Sequence, residues 1–289
     1  MSTIESVAIV LRARHDEAIL ELGRELAHWL LKQKIQVSAR APVAKVLGIG
    51  EVKVVKTIKS DLVVVFGGDG TLLSTAREVA HTGALLVGVN MGRLGFLAEV
   101  SRRRMIPVLT SVIEGKYSVE ERTMLEVSVL RGKKEVETFA ALNDAVVDKG
   151  SIARLLRFDV RIDRSQLTEY AADGLIVATP TGSTGYSMAA GGPLLHPSVQ
   201  AFLLTPICPH QLSGRPIAIP DTSEVAIKLK EPSEEATLTI DGQVAYPMAK
   251  DDIVRIRKSK HPAKLVRIPG RSYYEVLRGK FHWNKTTTD

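Results

Sequence analysis

Hydrophobic and polar positions along the first hundred or so residues follow two alternating periods. Val7 to Leu11 is a short apolar run that predicts a first strand. Between Asp16 and Lys32, Ile19, Leu22, Leu26 and Leu30 recur at helical spacing with Glu21, Arg24 and Glu25 outside, which predicts an amphipathic helix. Ile35 to Ser38 predicts a second strand. The LVVVF run at 62–66 is continuously apolar, rich in β-branched residues and stops abruptly at Gly67, as a strand buried on both faces does. Thr71 to His81 then predicts a helix and Ala84 to Val89 the next strand. A further helix through Ile106, Leu109, Val112 and Ile113 stops at Gly115, a residue suited to the left-handed backbone beyond a helix end. Strand-length runs alternating with helical periods are the pattern of a doubly wound α/β layer.

From about Ser118 the pattern changes. MLEVSVL, LRFDVRID, EVAIKLK, ATLTI and DIVRIRK are short alternating segments, broken by turn signals such as Arg131-Gly132 and Asp241-Gly242, which predicts a β-rich domain. Tyr273 to Trp283 is helical again and needs an apolar surface to dock on, which the first domain supplies. The expected architecture is an α/β N-terminal domain, Rossmann-like and doubly wound, over 1–117 and 265–289, with a β-sandwich-like C-terminal domain over 118–264. Its C-terminal tail returns to the first domain. A chain of 289 residues at roughly 150 residues per domain agrees with two domains.

Composition narrows the class of partner. Hydrophobic residues are 45% and charged residues 25% of the chain, which excludes disordered and low-complexity classes. No apolar run approaches the roughly 18 residues that a membrane span needs. An acid precedes the first apolar run and Arg follows it, the wrong order for a secretory signal. The net charge of +7 favours anionic partners. With aromatics at 5%, no zinc-finger spacing, and Arg102 to Arg104 as the densest basic run, small anions rank ahead of nucleic acid. Cys208 stands alone, forms no internal disulfide and fits a reducing cytoplasm.

Three segments carry candidate chemistry. Gly67-Gly68-Asp69-Gly70-Thr71 lies at the carboxyl end of a predicted buried strand and the start of a helix, where α/β sheets bind ligands. Glycines there let backbone amides approach a phosphate, and the helix start offers free N–H groups. Asp69 repels a bare phosphate, so it argues for a hydroxyl to be deprotonated or oriented, or for a nearby magnesium ion. The plainer alternative is a tight turn with Asp69 as the helix N-cap. There is no GxxxxGK[ST] and no GxGxxG after a strand; Gly48-Ile49-Gly50 lacks the third glycine.

The second segment runs from Asp173 to Gly192, dense in glycine and hydroxyls. Thr179, Thr181, Ser183 and Thr184 can donate to phosphate or ribose oxygens, and Tyr186 offers a flat face or a phenol. A polar turn between strand and helix is its bland reading. The third is Asn143-Asp144, an amide beside a carboxylate suited to diol hydroxyls or an adenine edge, and equally to a turn cap. Gly185-Tyr186-Ser187-Met188-Ala189 approximates a nucleophile elbow but lacks its last glycine and falls in the β-rich half, which argues against a hydrolase. The seven histidines show no metal-ligand spacing.

Taken together, GGDGT at 67–71, NMGRLGFL at 90–97, Asn143-Asp144 and DGLIVATPTGSTGY at 173–186 resemble the NAD kinase family in order and spacing. Leu212-Ser-Gly-Arg-Pro-Ile, the Ile240-Asp-Gly-Gln turn and the closing Tyr-Tyr-Glu-Val-Leu-Arg extend the resemblance over most of the chain. GGDGT alone is shared with lipid kinases. The resemblance implies phosphorylation of the 2′-hydroxyl of the adenosine ribose of NAD, giving NADP, with ATP or polyphosphate as donor and Mg2+ or another divalent cation. It implies Asp69 as general base. It places Gly67, Gly68, Gly70, Thr71, Leu73, Phe96, Asn143, Asp144, Asp173, Thr181, Thr184, Gly185, Tyr186 and Ala189 at the nucleotides, with Phe96 beside the adenine. It further implies a homo-oligomer, dimer or tetramer, while the lone cysteine, the composition and the short apolar runs lead to the expectation of a cytoplasmic chain with no nucleic-acid or membrane partner. Two positions depart from the family: Asp144 stands where Glu is usual, one methylene shorter, and Gly185 where Ala is usual. The competing readings are a related GGDGT-type lipid kinase, for which no basic amphipathic helix is present, and a non-catalytic NAD(P)-binding sensor, which would have no need of Asp69.

Overall fold

The computed structural model describes residues 4–14, 16–92, 95–98, 100–150, 155–210, 214–230, 236–267 and 272–283. Arg93 and Leu94 of the motif at 90–97, and Leu212 and Ser213 of the segment at 212–217, lie outside the described residues. The chain divides into two compact units, Met1–Glu121 with Ala263–Asp289, and Arg122–Pro262.

The first unit is built on a sheet that is parallel through its central strands. Strand β1 (Ser6–Leu11) leads through α1 (Glu17–Lys32) to β2 (Gln36–Arg40), and α2 (Ala41–Leu47) leads to β3 (Lys53–Val55). The chain then crosses β1 to lay down β4 (Leu62–Phe66), α3 (Asp69–Val79), β5 (Leu85–Asn90), the short β6 (Val100–Ser101), α4 (Met105–Ile113) and β7 (Ser118–Arg122). Returning from the second unit, β20 (Ala263–Arg267) and α6 (Tyr273–Phe281) complete it. The strand order is β3-β2-β1-β4-β5-β20-β7, so the direction of winding reverses between β1 and β4. In open α/β sheets that reversal opens a crevice at the carboxyl ends of the strands, and β4 ends there at the GGDG loop.

The sequence pattern explains the layering. Ile19, Leu22, Leu26 and Leu30 of α1 are fully buried against Val7, Ile9, Leu62, Val64 and Phe66, with Leu109 and Val112 of α4 in the same cluster. Their alternates Val63 and Val65 are equally buried on the other face, where α3 packs against β4, β5 and β20. Asp16 caps α1 by accepting the Ile19 amide, and Ser272 with Glu275 forms a capping box on α6. The tail is fastened to the first unit by β20, parallel to β5, and by Phe281, whose ring centroid lies 6.1 Å from that of Phe96.

Helix α2, and strand β3 beyond it, are absent from the sequence pattern above. Seven residues with Pro42 at the start give too short a period to read, and the segment is fixed from outside it: Leu47 is buried beside α1 and Gly48 closes the helix at φ 67°.

The second unit is a β-sandwich. One six-stranded antiparallel sheet has the order β12 (Ser165–Ala172), β11 (Leu156–Ile162), β16 (Val225–Leu229), β19 (Ile253–Lys258), β8 (Leu125–Arg131), β9 (Lys134–Ala141). The other has β15 (Ile217–Pro220), β14 (Ala201–Ile207), β13 (Gly174–Ala178), β10 (Asp144–Asp148), β17 (Thr237–Ile240), β18 (Val244–Pro247). Val127, Phe158, Val160 and Ile227 from the first meet Ala145, Leu175, Val177 and Phe202 from the second in one core. Strands β10, β13 and β14 are also buried on their outer face, where Val146, Ile176 and Leu203 lie under Ala190 and Leu195. That cover includes α5 (Tyr186–Ala189) and the segment after it.

Truncating a ring in this core leaves a cavity that strands cannot collapse to fill. Phe158→Ala, fully buried, is expected to lower unfolding free energy by about 3–5 kcal/mol. Val54→Ala, 60% exposed, should change it by less than ~0.5 kcal/mol. Urea unfolding followed by circular dichroism measures both.

Candidate active site

Gly68 is the N-cap of α3, with no side-chain cap, and Asp69 begins the helix. The N-cap alternative for Asp69 is therefore corrected: its carboxylate turns away from its own helix and accepts three backbone amides of the 95–98 turn. Oδ2 accepts from Phe96 (2.8 Å), and Oδ1 from Leu97 (3.0 Å) and Ala98 (3.0 Å). An N-cap bond contributes about 1 kcal/mol, whereas each bond to a charged acceptor contributes about 1.5–3 kcal/mol. The three-amide arrangement is the stronger attachment. Gly95 permits it, because a Cβ at that position would overlap the Asp69 carboxylate. No pattern rule singles out Gly95, since its need arises 26 residues away from the carboxylate it admits.

The rest of the loop is set by the sheet. The Gly67 amide donates to the Val89 carbonyl (3.1 Å), tying the loop to β5. Gly68 and Gly70 are exposed, Thr71 is half-buried and its amide returns to the Gly68 carbonyl (3.1 Å). Leu73 is buried at 6% exposure. Phe96 is half-buried between the Phe281 ring and the Lys280 ammonium, which lies 5.7 Å from its centroid.

In the second unit, strand pairing joins segments far apart in sequence. Asp144 opens β10 opposite Ala178 at the end of β13, so Asn143-Asp144 and the loop from Thr179 adjoin. The Thr179 amide donates to the Asn143 carbonyl (2.8 Å) and its hydroxyl to the Leu142 carbonyl (2.6 Å). Gly182 packs so closely on the Asn143 backbone that a Cβ would overlap it.

The loop hydroxyls divide into two groups. Thr179 and Ser183 are fully buried and committed to backbone groups, Thr179 to the Leu142 carbonyl, and Ser183 donating to the Pro180 carbonyl (2.7 Å) and accepting the Leu195 amide (3.0 Å). The expectation that these two donate to a ligand is corrected. Thr181 is buried and accepts from the Arg122 guanidinium (3.4 Å). Thr184 and Gly185 are half-buried, and Ala189 and Tyr186 are exposed, Tyr186 by 49%.

Asp173 lies at the other end of the same strand pair, preceding Gly174, which sits opposite Asp148. Five residue steps of strand separate it from Ala178, opposite Asp144, roughly 17 Å. Asp173 pairs with the Lys149 ammonium (2.7 Å). Tyr186 lies between the two ends: its phenol is pushed up first by burial, then by the charges of Asp148, Cys208, Asp173 and Asp144. Cys208 is exposed.

Asp241 is a residue whose role the sequence does not reveal. It stands in the turn after β17 at φ 49°, and its carboxylate accepts the amides of Leu142 (3.1 Å), Asn143 (2.7 Å) and Asp144 (3.0 Å). As an Asp-Gly pair it signals a turn, and 97 residues of chain hide its partner. Asp144 is itself buried at 4% exposure, and burial followed by the charge of Asp241 pushes its carboxyl up to about 7. Among the described residues no three His, Cys, Asp or Glu gather as a metal site requires.

These features coincide with a known family. Residues 7–117 match the profile described as the ATP-NAD kinase N-terminal domain, and residues 142–268 that of the ATP-NAD kinase C-terminal domain. The chain is 43% identical over 277 residues to NAD kinase of Magnetococcus marinus, covering 94% of this chain and 91% of that one. It is 38% identical over 285 residues to NAD kinase of Syntrophotalea carbinolica, covering 98% and 100%. Among solved structures, yeast NADH kinase complexed with NADH superposes with a TM-score of 0.91 at 24% identity, over 99% of this chain and 89% of that one. An NAD kinase from Archaeoglobus fulgidus in complex with ATP gives 0.73 at 24% identity, over 96% and 98%. These last two likenesses speak to the fold. Both halves of the chain match one family and its relatives align along nearly their whole length: the chain belongs to the NAD kinase family.

Proposed function

We propose that this protein transfers the γ-phosphoryl group of ATP to the 2′-hydroxyl of the adenosine ribose of NAD, yielding NADP and ADP. The observation that carries the reading is the Asp69 carboxylate, held by three amides at the start of α3 just beyond β4. A ribose hydroxyl is a weak nucleophile, so its proton must leave as the new O–P bond forms and the bond from the γ-phosphorus to the ADP oxygen breaks. A carboxylate offers about four acceptor positions. Oδ1 has two of its positions filled and Oδ2 one, so Oδ2 is the atom assigned to the proton. The positive end of α3, where no side chain caps the helix, suits the developing charge on phosphate oxygens. Gly67, Gly68, Gly70 and Thr71 line that helix start, while Leu73 supports it from within and Phe96 presents its ring for the adenine.

To the second unit we assign dinucleotide recognition. Asn143 and Asp144 take ribose hydroxyls at one end of the β10–β13 pair, Asp173 contacts the other end of the ligand, and Tyr186 lies along the roughly 17 Å between them. Thr184, Gly185 and Ala189 border that path, and Thr181 holds its floor through Arg122. A divalent cation such as Mg2+ would be brought by the donor's phosphates, because the described residues build no metal cage. Polyphosphate is the second donor to try. The reading includes a cytoplasmic homo-oligomer of two or four subunits, for which the sandwich offers edge strands.

The test is NADP formation from NAD, ATP and magnesium by the purified protein. Asp69→Asn is expected to lower turnover by about 10²–10⁴-fold while NAD remains bound. Tight NAD binding without NADP from ATP or polyphosphate would favour the sensor instead. A second variant separates the carboxylate from its placement: Gly95→Ala keeps Asp69 but displaces it, and turnover should fall by about 10²-fold. Unchanged turnover in Gly95→Ala would contradict the assignment of the amide-held carboxylate to the chemistry.

A further inference from the structure

Two aspartates meet at the start of β10. The ladder sets Ala145 opposite Ile240, and one residue on, the Asp241 amide donates to the Asp144 carbonyl (2.9 Å). The Asp241 carboxylate answers by accepting the Leu142, Asn143 and Asp144 amides, so the backbone of the whole Asn143-Asp144 motif hangs on one side chain. Both aspartates are nearly closed to solvent, at 4% and 7% exposure. Asp241 has donors to hold it there; among the described residues none donates to the Asp144 carboxylate.

Among the described residues, few titratable or charged groups face Asp144. Asp241 faces it from the turn after β17, Tyr186 from α5, and Asp148 follows on the same face of β10. Asp173, at the far end of β13, is matched by Lys149, and Arg122 reaches Thr181 of the adjoining loop. The charge that acts on Asp144 is that of Asp241.

We infer that Asp241 is a positioning residue for dinucleotide binding, whose carboxylate fixes the Leu142–Asp144 backbone and whose charge adds to burial in making Asp144 a pH-sensitive contact. The inference rests on the proposed place of Asp144 at a ribose of NAD. Burial, then the Asp241 charge, push the Asp144 carboxyl up to about 7. Below that pH it is protonated and has given up acceptor capacity that two diol hydroxyls use; above it, the ionised carboxylate accepts both. Dinucleotide affinity should therefore rise with pH through about 7 and level off beyond. Where binding requires the ionised form, the dissociation constant climbs toward tenfold per pH unit on the acid side.

The experiment is NAD binding from pH 5.5 to 8.5, beside a carboxyl 13C titration of aspartate-labelled protein, on wild type, Asp241→Asn and Asp144→Asn. Asn tolerates the positive φ of Asp241, and its Oδ1 can still accept the Asn143 and Asp144 amides, so this variant is expected to fold. The wild-type carboxyl titration needs no variant at all. The expected result is one carboxyl titrating near 7 in wild type and missing in Asp144→Asn. In Asp241→Asn it should titrate about one unit or more lower, with the inflection in NAD affinity moving alongside. A wild-type Asp144 that titrates in the ordinary carboxylate range, or an inflection that stays in place in Asp241→Asn, overturns the inference. Asp144→Asn binding NAD as wild type does at every pH would instead overturn the place of Asp144 at the ribose, leaving the carboxyl titration to judge Asp241 separately.

Discussion

In each unit one aspartate gathers three successive backbone amides, and the candidate chemistry depends on those two attachments. Asp69 holds the amides of 96–98 and Asp241 those of 142–144. Bonds to a charged acceptor contribute about 1.5–3 kcal/mol each, and a buried amide that loses its acceptor costs a comparable amount. Segments without regular structure of their own are thereby held nearly as firmly as strands. The same bonds leave the donors committed and the carboxylates oriented, with three of about four acceptor positions on Asp69 filled.

The sheets decide where these attachments stand. Reversal of winding between β1 and β4 puts the GGDG loop at the crevice of a parallel sheet. In the sandwich, antiparallel pairing of β10 with β13 sets Asn143-Asp144 beside the Thr179 loop and Asp173 at the opposite end. Close contact does the rest: Gly95 and Gly182 are the places where a Cβ would strike the Asp69 carboxylate and the Asn143 backbone. Electrostatics follows from that crowding, since burial and then the charge of Asp241 push the Asp144 carboxyl up to about 7.

Much of this architecture is written in local pattern. The 3.6-residue period of Ile19, Leu22, Leu26 and Leu30 and the unbroken LVVVF run are statements about burial, and both hold in the structure because burial selects them. Helix α2 escaped because its placement comes from Leu47 meeting α1, a contact its seven residues do not announce. The GGDG loop was legible as a ligand loop, yet its aspartate could be read as an N-cap because the 95–98 amides are distant in sequence. The hydroxyl-rich loop misled in a different way. Thr179, Ser183 and Thr184 look alike as donors, but the first two are buried to satisfy the Leu142 and Pro180 carbonyls, and composition carries no record of that division. Asp241 is the clearest case: a turn signal by its neighbour Gly242, an anchor only through a partner 97 residues back.

The central claim is that the chemistry on the Asp69 loop is phosphoryl transfer to a ribose hydroxyl. Incubating the purified protein with NAD, magnesium and ATP carrying 18O on its γ-phosphoryl oxygens tests it most directly, with the product resolved by 31P NMR. The account predicts that the label appears as a phosphomonoester on the 2′-oxygen of the adenosine ribose, in step with ADP. Label released only as inorganic phosphate, or found on another acceptor while NAD stays unmodified, would contradict it.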